Sequence, residues 1–225
     1  IAETIVRRGG TVQYDITVER LAVEDGRVSG VYVDGQLIAA NHVVLATSLG
    51  AAQPLIREAL GDHPWFEKML ALPTMPAVTL QIELDEPALP EDHVVFSPNT
   101  VLASYAEQSR TTFRDVPGRL SIDLGQPEKF IGRPPEEIFA AAMADARRVG
   151  LNIEDNVRRY RVVDHPQDFY LLSPGAEALR PPQATPIPGL TLAGDYTKQA
   201  LFCSMEGAVM SGQAAAKAVA RAAKA

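Results

Sequence analysis

Residues 190–212 read Leu-Thr-Leu-Ala-Gly-Asp-Tyr-Thr-Lys-Gln-Ala-Leu-Phe-Cys-Ser-Met-Glu-Gly-Ala-Val-Met-Ser-Gly. Four apolar or small residues predict a short strand ending at Gly194-Asp195. A polar loop follows. Ser204 suits a helix N-cap, because its hydroxyl can accept a first-turn N–H. Beyond it Gly207, Ala208, Ser211 and Gly212 keep the helix surface low, so a neighbouring group can approach the backbone. A strand, a loop and a helix in this order predict an α/β layer, in which ligands sit beyond the carboxyl ends of the strands.

The opening of the chain fits the same layer. Residues 1–8 predict a helix stopped by Gly9-Gly10. A short strand is expected at 11–14. Residues 18–24 and 27–33 alternate around Asp25-Gly26, and Asp34-Gly35 leads into 36–40. Asp-Gly turns between alternating runs are strong hairpin signals, so residues 17–40 predict an antiparallel meander. Val43-Val44-Leu45-Ala46 is apolar without alternation and predicts a strand buried on both faces. A helix over 50–60 follows.

The middle of the chain differs. Prolines recur at 64, 73, 76, 87, 90, 98 and 117. Strands are expected at 77–84, 93–96, 101–106, 119–124 and 156–163. A helix is expected from Pro134 to about Val149, with proline and acids in its first turn. Residues 171–189 read as a polar linker. Residues 1–60 and 186–225 therefore predict one α/β unit, and residues 61–185 an inserted α+β domain with a mixed sheet.

Bulk properties exclude several classes. The formal net charge is −7, and no basic stripe marks a nucleic-acid binder. No apolar run reaches the roughly 20 residues that span a bilayer. Cys203 is the only cysteine. It reads as a small buried residue rather than a nucleophile, since nothing marks a base partner. His42, His63, His93 and His165 lack metal-ligand spacing and read as structural or surface residues. A cytoplasmic setting is expected. The chain opens on Ile1 within a helical pattern and reads as the downstream part of a longer protein.

Chemistry concentrates in residues 190–212. Asp195, beyond the carboxyl end of a strand, is placed to accept hydrogen bonds from sugar or ribityl hydroxyls; a loop aspartate capping a turn is the plainer alternative. Met205, Glu206 and Gly207 would present free N–H groups at the positive end of a helix dipole. A reduced flavin carries negative charge near N1 and O2, which such a helix start can stabilise. The alternative is a small-residue helix packed on a sheet, and one helix can do both. The backbone of Glu206 is the useful part, its side chain being left to solvent or a structural pair. Val18 and Ala46-Thr47 lie on or beside strands of the kind that line a dinucleotide, though Val18 reads equally as core. No Gly-x-Gly-x-x-Gly is present.

Ala193-Gly194-Asp195-Tyr196-Thr197-Lys198-Gln199, followed by Ser204-Met205-Glu206-Gly207-Ala208-Val209 and Ser211-Gly212, resembles the C-terminal signature of phytoene desaturases, members of the flavin-containing amine oxidase superfamily. Pro182, Pro186, Ile187 and Gly189 resemble the approach to that strand. Phe96-Ser97 with Leu102, Ser104, Tyr105 and Ala106 resembles a substrate-domain strand pair, and residues 43–47 resemble a second FAD-contacting strand. The family's arginine after Phe-Ser is replaced by Pro98. The resemblance implies the C-terminal part of a two-domain, Rossmann-like flavoprotein with non-covalent FAD, held weakly or not at all by these residues alone. It implies Val18 near adenine and Ala46-Thr47 along the dinucleotide. Gly194-Asp195 would meet the ribityl or phosphate region, and Met205, Glu206, Gly207 and Ala208 would face the ring through backbone. The chemistry implied is hydride transfer from a long apolar isoprenoid to flavin, with a quinone-like acceptor, peripheral membrane contact and room for homo-oligomers. A hydroxysqualene dehydroxylase, an amine oxidase and a non-catalytic remnant are the alternatives.

Overall fold

The computed structural model describes residues 1–171 and 173–224. The chain divides into two compact units, residues 1–73 with 170–225, and residues 74–169.

The first unit begins with helix α1 (Ala2–Arg7). Strands β1 (Arg20–Glu24), β2 (Arg27–Val33) and β3 (Gln36–Ala39) then form an antiparallel meander. Both turns work as the sequence predicts. Asp25, Gly26, Asp34 and Gly35 all have positive φ, the geometry that matches strand twist. Strand β4 (Val43–Leu45) pairs in parallel with β10 (Leu190–Leu192), with Leu45 opposite Leu192. Helix α2 (Leu49–Leu60) buries Leu49, Ala52, Leu55 and Ile56, one stripe at helical spacing. The short helix α3 (Glu67–Ala71) is tied to it by Gln53, whose amide donates to the carbonyls of Met69 at 3.0 Å and Leu72 at 2.8 Å. Phe66, Met69, Leu45, Ile56, Leu192 and Tyr196 share one core.

The second unit is a five-stranded sheet in the order β6-β7-β8-β5-β9. Its strands are β5 (Thr74–Leu84), β6 (Val94–Phe96), β7 (Leu102–Glu107), β8 (Gly118–Leu124) and β9 (Val157–Tyr170). Alternation decides its faces. Val78, Leu80, Ile82 and Leu84 point to the core, where Leu80 pairs with Ile122 and Ile82 with Leu120. Helix α4 (Pro135–Arg148) covers that face with Ile138, Ala142, Met143 and Ala146. Phe139 stacks on Tyr160 with ring centres 4.1 Å apart. Helix α5 (Met205–Ala222), in the first unit, closes the chain.

The structure departs from the sequence reading at several points. Residues 11–14 form no strand, and Val18 lies ahead of β1. Strand β4 is not buried on both faces. Val44 is 43% exposed, because among the described residues only one side of this strand is covered. Strand β9 runs seven residues beyond its expected end. The inserted unit is narrower than 61–185. Residues 61–73 pack with the first unit through Phe66 and Met69, and residues 170–185 do so through Tyr170 and Ala176. Among the described residues no helix is long and apolar enough to cross a membrane.

Candidate cofactor site

Two strand ends meet at one edge of the first unit. Strands β4 and β10 run parallel, so their carboxyl ends lie side by side. The N–H of Ala193 donates to the Leu45 carbonyl at 2.9 Å, which carries the pairing one residue further. A Cβ built on Gly194 would sit 3.3 Å from the Thr47 carbonyl. Ala46-Thr47 and Gly194-Asp195 are therefore neighbours, and Ala46 and Thr47 are exposed.

Gly194 is required there. Its φ is +141°, and a Cβ would stand 2.5 Å from the Tyr196 ring. Its backbone is gripped on both sides. Its N–H donates to Ser211 Oγ at 3.0 Å, and its carbonyl accepts from the Thr197 hydroxyl at 2.8 Å. Ser211 and Thr197 hydroxyls lie 2.6 Å apart and are fully buried. This hydroxyl pair bolts α5 to the strand end.

The loop between them is organised by Arg180. Arg180 is 3% exposed, and its guanidinium donates to four main-chain carbonyls: Asp195 at 3.0 Å, Tyr196 at 3.3 Å, Thr197 at 2.5 Å and Leu201 at 3.2 Å. Gln183 adds bonds to Thr197 Oγ1 at 3.0 Å and the Lys198 carbonyl at 2.7 Å. Asp195 itself is half-buried, and one of its oxygens accepts the Cys203 thiol at 3.1 Å. Burial, with Asp195 adjacent, pushes the Tyr196 hydroxyl well above the usual tyrosine range. Burial and the nearby Arg27 lower the pKa of His42, whose ring meets Thr191 Oγ1 at 2.8 Å.

At the start of α5, Ser204 Oγ accepts the Gly207 N–H at 3.1 Å. Met205, Glu206 and Ala208 are exposed, Met205 at 89%. Gly207 is buried, because the Gln199 side chain lies over it: a Cβ there would stand 2.5 Å from the Gln199 amide nitrogen.

A half-buried carboxylate, a Ser204-capped helix start with Met205 and Glu206 exposed, and two strand ends on one edge form a donor and acceptor set suited to a flavin nucleotide. Residues 1–220 match the family described as flavin containing amine oxidoreductase. The chain belongs to the flavin-containing amine oxidoreductase family. Within it the chain is phytoene-desaturase-like. It is 32% identical over 235 residues to a 15-cis-phytoene desaturase of Synechococcus elongatus, an alignment covering 97% of this chain and 49% of that protein. It is 32% identical over 231 residues to the chloroplastic/chromoplastic 15-cis-phytoene desaturase of Solanum lycopersicum, covering 97% and 40%. A zeta-carotene desaturase of Synechocystis is 28% identical, covering 97% and 51%. The chain thus spans about half the length of the curated relatives it matches. Its fold is that of an oxidoreductase from Methanosarcina mazei (TM-score 0.73, 20% identity, 96% of this chain and 52% of that one). It is also that of the cyclohexylamine oxidase of Brevibacterium oxydans (TM-score 0.71, 17% identity, 100% and 51%).

In this chain the structure gathers Ala46, Thr47, Gly194, Asp195 and, through Ser211 and Gln199, the α5 start with Met205, Glu206, Gly207 and Ala208. Val18 is exposed and lies two residues ahead of β1. Arg180, Gln183, Gln199 and Ser211 are the residues that sequence reasoning passed over as loop builders. The signal for Arg180 was its position: a cation in Leu179-Arg180-Pro181-Pro182, between an apolar residue and two prolines, has little reason to stay in solvent. Among the described residues no group of three or more His, Cys, Asp or Glu side chains could hold a metal ion.

Proposed function

We propose that this chain forms the C-terminal side of an FAD site in an enzyme that desaturates a long apolar isoprenoid of the phytoene or carotenoid type. The observation that carries the reading is the convergence of Ala46-Thr47, Gly194-Asp195 and the Ser204-capped helix on one edge of the parallel strand pair. Bound FAD supplies hydride acceptance. Asp195 would accept hydrogen bonds from ribityl or ribose hydroxyls, and its thiol contact with Cys203 fixes one oxygen while leaving the other for the ligand. The N–H groups of Met205 and Glu206, at the positive end of α5, would face the electron-rich side of the ring. Ala46, Thr47 and the exposed Val44 offer a surface along which a nucleotide can lie. Val18 is assigned to the adenine end.

The second unit supports an apolar substrate. It contains a cavity of about 550 Å³ lined mainly by apolar residues, among them Met75, Pro76, Val78, Leu124 and Phe169, together with the polar Asp123, Gln126 and His165. A quinone-like acceptor and peripheral contact with a lipid surface follow from the solubility of such a substrate. FAD binding is testable in protein expressed from the complete reading frame. Flavin absorption bands in the purified protein and flavin-linked turnover of phytoene in preference to squalene derivatives are the expected results. Colourless protein that takes up no FAD removes the reading.

For Asp195→Ala we expect FAD affinity to fall by about 1–3 kcal/mol, since ligand hydroxyls lose a charged acceptor. Titration of the apo protein with FAD checks this, and unchanged affinity would remove Asp195 from the site.

A further inference from the structure

We propose that Arg180 is a positioning residue for the flavin: by drawing the carbonyls of residues 195–197 and Leu201 onto one buried guanidinium, it keeps those main-chain carbonyls off the cofactor side of the turn and leaves the Asp195 carboxylate as the acceptor there. The inference rests on the FAD reading above and adds to it a residue outside the strand-turn-helix signature.

Four observations carry it. Arg180 is almost fully buried, a rare state for an arginine without full pairing. Its one carboxylate partner, Glu177, lies 2.8 Å away but is 67% exposed, so that ion pair faces water and is worth little. Nε reaches the Tyr196 carbonyl and Nη2 is shared among those of Asp195, Thr197 and Leu201, so three of the four acceptors belong to consecutive residues. The Tyr170 ring lies 5.3 Å from the guanidinium carbon, and a cation–π contact holds the fork from another side.

Outside a helix, three successive carbonyls seldom converge on one point, because extended backbone alternates them and their dipoles repel. A planar fork with five donors can hold them together, and an ammonium cannot do so with the same geometry. The consequence reaches the ligand. Phosphates and reduced flavin are electron-rich, so a turn that holds them must offer N–H groups and keep C=O groups away. Gln199 assists from the loop, since its amide donates to the Asp195 carbonyl at 3.0 Å while lying over Gly207. The same inward pull sets the direction in which the Asp195 side chain leaves the backbone.

The test uses protein from the complete reading frame, with Arg180→Ala and Arg180→Lys. FAD affinity, apo-protein melting temperature and amide hydrogen exchange at residues 195–201 are measured for each. Arg180→Ala is expected to weaken FAD binding at least about tenfold and to speed exchange in that loop. Millimolar guanidinium chloride, but not sodium chloride at equal concentration, is expected to restore most of the affinity by refilling the vacated fork. Arg180→Lys keeps the charge and stays informative if the alanine variant fails to fold; it is expected to bind FAD more weakly at an apo melting temperature close to that of the parent. Parent-like affinity in the variants overturns the inference. So does an affinity loss that follows lowered melting temperature with no rescue by guanidinium, which would make Arg180 a purely structural residue. If the parent protein itself takes up no FAD, the functional reading falls first and this inference with it.

Discussion

Gly194→Val is expected to unfold the cofactor turn and to destabilise the first unit by about 3 kcal/mol, from two effects that add. A β-branched residue at φ +141° is strained by roughly 1–3 kcal/mol. Its Cβ would stand 2.5 Å and 2.8 Å from two carbons of the buried Tyr196 ring, an overpacking worth about 1–3 kcal/mol. The backbone cannot rotate away, because Ser211 holds the Gly194 N–H and Thr197 holds its carbonyl. Tyr196 cannot move aside either, being fully buried in the core that contains Leu45, Ile56 and Leu192. FAD uptake should be lost together with the fold of the turn. Calorimetry on the parent and the variant checks this; a variant that melts within a degree of the parent would show that the turn has room the geometry denies.

The second large effect is expected in the other unit, at Glu107. This carboxylate is 2% exposed and, among the described residues, has no cationic side chain in hydrogen-bonding contact. It accepts instead three main-chain N–H groups, from Ala88 at 2.7 Å, Arg119 at 2.9 Å and Ser109 at 3.2 Å. It thereby ties the β5–β6 connection, the β7–β8 connection and the start of β8 to the end of β7. Glu107→Ala leaves those donors without an acceptor, and each unsatisfied buried group costs about 1–3 kcal/mol, so a loss of about 3 kcal/mol or more is expected. Glu107→Gln retains one acceptor oxygen and should lose less. Burial alone would raise the pKa of Glu107, but the hydrogen bonds around Ser109, Arg119 and Ala88 outweigh it and hold the carboxyl below the usual range. The sign of the pH effect follows. A carboxyl whose pKa is depressed on folding stabilises fully above its unfolded value, near 4.3, and loses that contribution as pH falls through the lower folded value. The parent should therefore lead the Gln variant at pH 7, and the gap should shrink as pH drops below about 4. Denaturant melts at pH 7 and pH 3 measure the gap; a constant gap would mean that Glu107 is not held as the charged form. Asp145, bound at 2.6 Å to the Val101 N–H, is depressed in the same direction, so this unit as a whole should be acid-labile.

Much of the architecture was legible because local chemistry and global fold agree. Asp25-Gly26 and Asp34-Gly35 demand left-handed backbone, and hairpin turns supply it. The alternation of residues 78–84 could satisfy only a sheet with one covered face. Ser204 is an N-cap by the same hydroxyl that the sequence offers. Where the reading failed, distance along the chain is the reason. Val44 looks like core because its neighbours are apolar, but its exposure depends on what covers the sheet, which no local pattern encodes. The unit boundary was placed near Leu60 because prolines begin there. The chain crosses over only at Pro73, since Phe66 and Met69 bring a short helix back into the first core. Within the candidate site, Gly194, Asp195 and the helix start were visible as a compact motif. Arg180 was not, because its partners are carbonyls, and every residue carries a carbonyl.

The N–H of Leu171 donates to the carbonyl of Pro73 at 2.7 Å, so the backbone leaves the first unit and rejoins it at adjacent points. An insertion whose two ends are hydrogen-bonded to each other imposes no stretch on its host. Its sequence can be lengthened, shortened or exchanged like a cassette while the first unit keeps its shape. The seam at Pro73 and Leu171 is accordingly the place to splice when a different inserted unit is wanted on the same host.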